Sequence, residues 1–120
     1  MFPVVLILSY EAETQMLTRI TDSTFTSDVL ESEVPVLLMF SAPWAGPCNL
    51  ARDTFQALAG RYGNQITFAE FVLDDNPATP ERCGVRSVPC FYLFQDGQPS
   101  QIKAGAIPTE HLEMMIEGLV

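Results

Sequence analysis

The sequence of 120 residues is poor in basic residues, poor in cysteine and free of long hydrophobic runs. Its six Lys and Arg are scattered among fifteen Asp and Glu, so no basic patch is available for a phosphate backbone. Its three cysteines have no Cys-x-x-Cys spacing and indicate neither a disulfide framework nor a zinc site. We therefore expect no nucleic-acid partner, no metal, no cofactor and a reducing, cytoplasmic setting.

Residues 1–16 are predicted to be an N-terminal extension. Their apolar run at 3–8 has about half the length that a membrane span requires. It lacks a positively charged start, and Glu11 and Glu13 follow it at once. It is therefore interpreted as neither a signal peptide nor a membrane anchor. We expect a strand or arm that packs on the domain, with an arm that docks a partner as the alternative.

Residues 17–120 have the pattern of one α/β domain, in which strand-like and helix-like segments alternate with short connections. A hydrophobic fraction of 48% supplies a core in spite of a net charge of −9, so a second functional module is not expected. The predicted helices cover 25–33, 47–62, a short segment that ends at 84, and the chain from 108 onwards. The predicted strands cover 34–40, 66–73, 88–94 and 100–104.

Short motifs that occur in a fixed order along this domain resemble those of thioredoxins. They stand at 20–25, 36–38, 44–48, 74–77, 84–89, 94–97 and 105–106. The resemblance covers roughly 17–120. It implies a thioredoxin fold, with a central five-stranded mixed sheet, helices on both faces, and a cis-proline at Pro89 that faces the active-site loop.

The loop at 44–48 departs from the family at its most important position. Thioredoxins have Trp-Cys-Gly-Pro-Cys, and the first cysteine is the exposed nucleophile at a helix N-terminus, where the thiolate is favoured. Here that position is Ala45, and a methyl group cannot attack a disulfide. Cys48 aligns with the resolving cysteine, which the family holds one turn inside the helix, and an inert buried thiol is the simplest interpretation.

Other departures from the family pattern, like Ala45, remove residues that the family uses. The buried Asp and the Lys that help the family to move protons align with Met39 and Glu70, so the general-base device is missing. The tryptophan usual early in the loop aligns with Ser41, and the helix proline usual after the second cysteine aligns with Asp53. Together these changes favour natural divergence, with an engineered Ala45 on an atypical background as the alternative.

Two further cysteines lie in motifs that the resemblance places near the loop. Cys90 directly follows Pro89, and Cys83 precedes Gly84 at the end of the short helix, nearer the surface. A pairing of Cys90 with Cys48 or with Cys83 is a hypothesis that requires Cα atoms within about 7 Å. The alternative is that Cys90 fills a core site.

Two functions remain open. By resemblance the chain is of the thiol-disulfide oxidoreductase class, without ordinary dithiol activity unless a cysteine natively occupies position 45, and with residual chemistry at Cys48 and Cys90. A thioredoxin reductase would then be a partner. The alternative is a redox-inactive module that binds a protein or peptide by backbone hydrogen bonds. Its groove is formed by Trp44, Ala45, Gly46, Pro47, Arg86, Ser87, Val88, Pro89 and Gly105.

Overall fold

The central strand of the sheet is buried along its whole length. A computed structural model describes residues 17–74 and 76–120, and the predicted extension at 1–16 lies outside the described residues. Strand β2 (Val36–Ser41) has six buried residues. It pairs in parallel with β3 (Thr67–Val72) and antiparallel with β4 (Cys90–Gln95). Strands β1 (Thr18–Ile20) and β5 (Gln98–Ala104) form the edges, in the order β1-β3-β2-β4-β5. The predicted five-stranded mixed sheet is confirmed.

The helices cover both faces of this sheet. They are α1 (Thr26–Leu30), α2 (Gly46–Tyr62), α3 (Ala78–Cys83) and α4 (Thr109–Ile116). Alternate residues of β2 point to opposite faces, and each set joins a separate apolar cluster. Leu37 and Met39 pack with α2 and α4, whereas Leu38 and Phe40 pack with residues of α1 and with Cys83 of α3.

The first helix is shorter than predicted. Residues 25–33 were expected to be helical, but α1 is a single turn with π-type hydrogen bonds, in which the N–H of Glu31 donates to the carbonyl of Thr26 at 2.9 Å. Two local turns limit it. Thr21 and Thr24 close the first through their own hydrogen bonds, and the Ser32 hydroxyl donates to the Val34 carbonyl at 2.8 Å in the second. Side chains that compete for backbone groups shorten helices in this way.

The hairpin follows the sequence pattern, whereas the last helix is shorter than predicted. Strands β4 and β5 join at Asp96 and Gly97, which have φ values of 53° and 78°. A Cβ atom on Gly97 would lie 2.9 Å from the Leu30 carbonyl oxygen, so this tight turn also requires glycine for space. Helix α4 ends at Ile116, earlier than the apolar pattern indicates, and Leu119 packs on the core from beyond it.

Candidate functional site

The topology brings three loops to one end of the sheet, the end at which β2 finishes. Strand β2 ends in the loop that leads to α2, and because β4 runs antiparallel to β2, the first residue of β4 lies at the same end. Strand β5 returns there, and the N–H of Gly105 donates to the carbonyl of Pro89 at 2.8 Å. The peptide bond between Val88 and Pro89 is cis. The segments 44–47 and 86–89 and residue Gly105 therefore share one end of the molecule.

Helix α2 begins directly after Ala45. Ala45 is extended, with φ of −97° and ψ of 112°, and its carbonyl accepts the Cys48 N–H at 3.0 Å. Pro47 lies in the first turn, where its missing N–H costs no helical hydrogen bond. Cys48 has no exposed surface. The loop thus presents the partly exposed methyl group of Ala45 above a fully shielded thiol.

Trp44 is the most exposed aromatic side chain of the loop. Its side chain is 73% exposed, and its indole Nε1 donates to Oδ1 of Asp74 at 3.2 Å. Asp74 follows β3, which runs parallel to β2 and finishes at the same end of the sheet. The hydrogen bond fixes one side of the ring, while its apolar face stays open to a partner.

All three cysteines are unpaired in the structure. Cys90 is buried in β4 between Phe40 and Ala104 of the neighbouring strands. Cys83 is half-buried at the end of α3, and its carbonyl accepts the hydroxyl of Tyr92 at 2.6 Å. Burial raises the pKa of both the Cys83 and the Cys90 thiol, which reduces their thiolate fraction at neutral pH. Pairing of Cys90 with either of the other cysteines stays a prediction.

Behind the loop, Glu70 forms a buried ion pair with Arg52 and a hydrogen bond with Ser41. Ser41 and Glu70 are two of the positions at which the sequence departs from the family. Oε2 of Glu70 accepts three short hydrogen bonds: from Arg52 Nη2 at 2.6 Å, from Arg52 Nε at 2.8 Å and from the Ser41 hydroxyl at 2.6 Å. The Glu70 side chain is 5% exposed and that of Arg52 is 25% exposed. The small Ser41 side chain leaves room for Arg52 to reach from α2 to the sheet.

Glu70 is ionised in this setting. Burial is the largest single influence and opposes ionisation. It is outweighed by the hydrogen bonds from Arg52 and Ser41 and by the positive charges of Arg52 and Arg19. The pKa of the Glu70 carboxyl therefore lies below its usual value. The same contact raises the pKa of Arg52, chiefly through the hydrogen bond to Glu70.

Sequence reasoning identified Ser41 and Glu70 as departures but missed Arg52 as their partner. The spacing of residues along α2 and β3 contained a signal for this partnership. Arg52 lies four residues after Cys48 on the same face of α2, and Glu70 lies two residues after the buried Phe68 on the same face of β3. Opposite charges at two inward-facing positions indicate a buried ion pair.

No helix among the described residues is long and apolar enough to cross a membrane. The described part of the chain also contains no group of three or more His, Cys, Asp and Glu side chains placed to hold a metal ion.

Comparison with known proteins supports the relationship that the loop and the fold indicate. The profile of the thioredoxin family matches residues 16–118. The chain belongs to the thioredoxin family. It is 39% identical to thioredoxin 1 of Synechococcus elongatus over 74% of this chain and 83% of that protein. It is 37% identical to thioredoxin 1 of Nostoc over 82% and 92%, and 36% identical to thioredoxin of Rhodospirillum rubrum over 85% and 98%. These relatives place it in the thiol-disulfide oxidoreductase class.

Removing one member of the buried ion pair should destabilise the protein more than removing both. We expect Arg52→Met to lower the free energy of unfolding by about 2–3 kcal/mol, because it leaves the Glu70 carboxylate buried without its cation. The double variant Arg52→Met/Glu70→Met should recover to within about 1 kcal/mol of the parent chain. Urea unfolding at neutral pH measures each value.

The exposed ion pair between Arg61 and Glu113 supplies the control. Its charged atoms are 3.6 Å apart and its side chains are 60% and 35% exposed, so Arg61→Met should cost less than about 1 kcal/mol. Equal losses for Arg52→Met and Arg61→Met would contradict a structural role for the buried pair.

The contribution of Glu70 to stability should depend on pH. Because the pKa of its carboxyl is lowered by folding, the ionised group stabilises the fold above the ordinary value near 4.5. That contribution is lost as the pH falls through the folded-state pKa. The difference in unfolding free energy between the parent chain and Glu70→Gln should therefore shrink between neutral pH and about pH 3. A difference that is independent of pH in urea titrations would be the opposite result.

Proposed function

We propose that this thioredoxin-family protein holds an extended peptide or protein segment in the groove around Trp44 and Pro89 and does not carry out ordinary two-cysteine exchange. Ala45 carries the proposal. Exchange begins when an exposed thiolate attacks a substrate disulfide, and the only thiol in the loop, that of Cys48, has no exposed surface.

The groove itself supports binding without a covalent step. Trp44 exposes a large apolar surface at its rim, and Leu50, in the first turns of α2, is 74% exposed. Backbone groups of the segment 86–89 and of Gly105 flank the same end of the sheet. An exposed aromatic side chain at the rim, together with the backbone groups of 86–88, suits the recognition of an extended chain.

A second candidate function is residual chemistry with Cys48 and Cys90. Cys90 is the first residue of β4 and lies at the end of the sheet where α2 begins. It packs with Phe40 and Cys83 on the face of the sheet opposite to α2, so this function requires a rearrangement that brings its thiol to Cys48. The Cys48 thiolate would displace one thiolate from a substrate disulfide. Cys90 would then attack the Cys48 sulfur and release the second substrate thiolate, leaving a Cys48–Cys90 disulfide for a thioredoxin reductase to reduce.

The proposal includes a cellular location and a class of partner. Three unpaired cysteines are compatible with a reducing compartment, and we propose a cytoplasmic location with a protein or peptide as the partner. A reductase is a partner only under the second candidate function.

The two functions differ in a reductase-coupled insulin turbidity assay. We expect no turnover from the parent chain above the reductase alone, because no exposed thiolate starts the exchange. Ala45→Cys supplies that nucleophile and should produce turnover. If Ala45→Cys also remains inactive, Met39 and Glu70 disable the site independently. Appreciable turnover by the parent chain that disappears in Cys48→Ser would overturn the binding-only function.

Peptide binding can be followed through Trp44, which is the single tryptophan of the chain. An insulin B chain with its cysteines replaced by serine should produce a saturable change in Trp44 fluorescence. Ala45→Arg should weaken this binding by roughly tenfold, because a long charged side chain then fills the groove. Ala57→Arg, on the exposed side of α2, is the matched control and should bind like the parent. Absence of a saturable change in the parent chain would contradict the proposal.

A further inference from the structure

A cleft separates α2 from the β1 edge of the sheet. Its volume is about 670 Å³, within the range of cavities that hold small ligands. Its polar lining consists of Arg19, Arg52, Gln56 and Glu70. Leu17, Pro43 and Val72 supply its apolar lining. The cleft lies behind the loop, outside the proposed peptide groove, and touches that loop only at Pro43.

The cleft contains two of the few basic side chains of this acidic protein. The chain has a net charge of −9 and six Lys and Arg in total, and two of these, Arg19 and Arg52, line this one cleft. Arg52 is engaged by Glu70, whereas no salt bridge within 17–74 and 76–120 involves Arg19. A guanidinium suits a carboxylate, which it can bind through two parallel hydrogen bonds.

Glu70 supplies a second polar contact. Arg52 and Ser41 reach its Oε2 atom, and the hydrogen bonds of the described residues leave Oε1 without a donor. Arg19 lies directly opposite Glu70 in the register of β1 and β3. A cation and a carboxylate oxygen therefore stand on adjacent strands, and an apolar wall borders them.

We propose that this cleft binds a small ligand with an α-amino-acid arrangement, in which a carboxylate and a nitrogen donor flank an apolar side chain. Arg19 binds the carboxylate, and Oε1 of Glu70 accepts a hydrogen bond from the nitrogen. Leu17, Pro43 and Val72 contact the apolar part. The same chemistry occurs in a free amino acid and at the C-terminus of a peptide, and the two sources are separated by the probes below.

The proposal is tested by ¹⁵N–¹H NMR of the full chain with L-leucine and with the tripeptide Gly-Gly-Leu. We expect saturable shifts of the Arg19, Gln56 and Val72 amides with a Kd on the order of millimolar, as for other ligands of this size. Shifts with leucine alone identify a free amino acid, and shifts with the tripeptide identify a peptide terminus. Saturable shifts with neither probe overturn the proposal.

Two comparisons establish what recognises the ligand. L-Leucinamide lacks the carboxylate and should not bind. Arg19→Gln, at an exposed edge position, should weaken binding by roughly tenfold, the cost of losing a charge-assisted hydrogen bond. Arg82→Gln on α3 lies outside the cleft and is the matched control that should bind like the parent. Equal binding of leucine and leucinamide, or equal binding by the Arg19 and Arg82 variants, would also overturn the proposal.

Discussion

The burial of β2 on both faces is the constraint on which the rest of the molecule depends. Because its side chains alternate between two apolar clusters, helices have to cover the sheet from both sides. The loop that holds Ala45 joins the end of β2 to the start of α2, so the same burial fixes the position of this loop. The functional loop is therefore positioned by the rigid core beneath it, and its own composition can change without loss of the fold.

An ion pair fixes the region behind the loop that holds Ala45. In place of a proton-transfer pair, the chain has Glu70, Arg52 and Ser41 joined by short hydrogen bonds. An ionised carboxylate held by a guanidinium fixes α2 to β3, but its lowered pKa makes it a poor proton acceptor near neutral pH. The residues behind Cys48 thus hold a fixed pair of opposite charges, and this pair also lines the cleft.

The local pattern predicted most elements well where tertiary contacts agreed with it. The apolar run of β2, the helical spacing of Phe55 and Leu58 in α2, and the Asp96–Gly97 turn each match the structure. The first helix was predicted too long, since the turns around Thr21 and Ser32 compete for its backbone groups.

The sequence by itself determined the fold class, the family and the absence of a nucleophile at Ala45, since each depends on local pattern or on residue identity. Only the tertiary structure decided what Glu70 does. Its partners Ser41 and Arg52 are 29 and 18 residues away in the chain, and the three meet because β2, β3 and α2 pack together. The protonation of a buried carboxylate is set by such distant neighbours. The cleft beside it likewise exists only where α2 leaves the β1 edge uncovered.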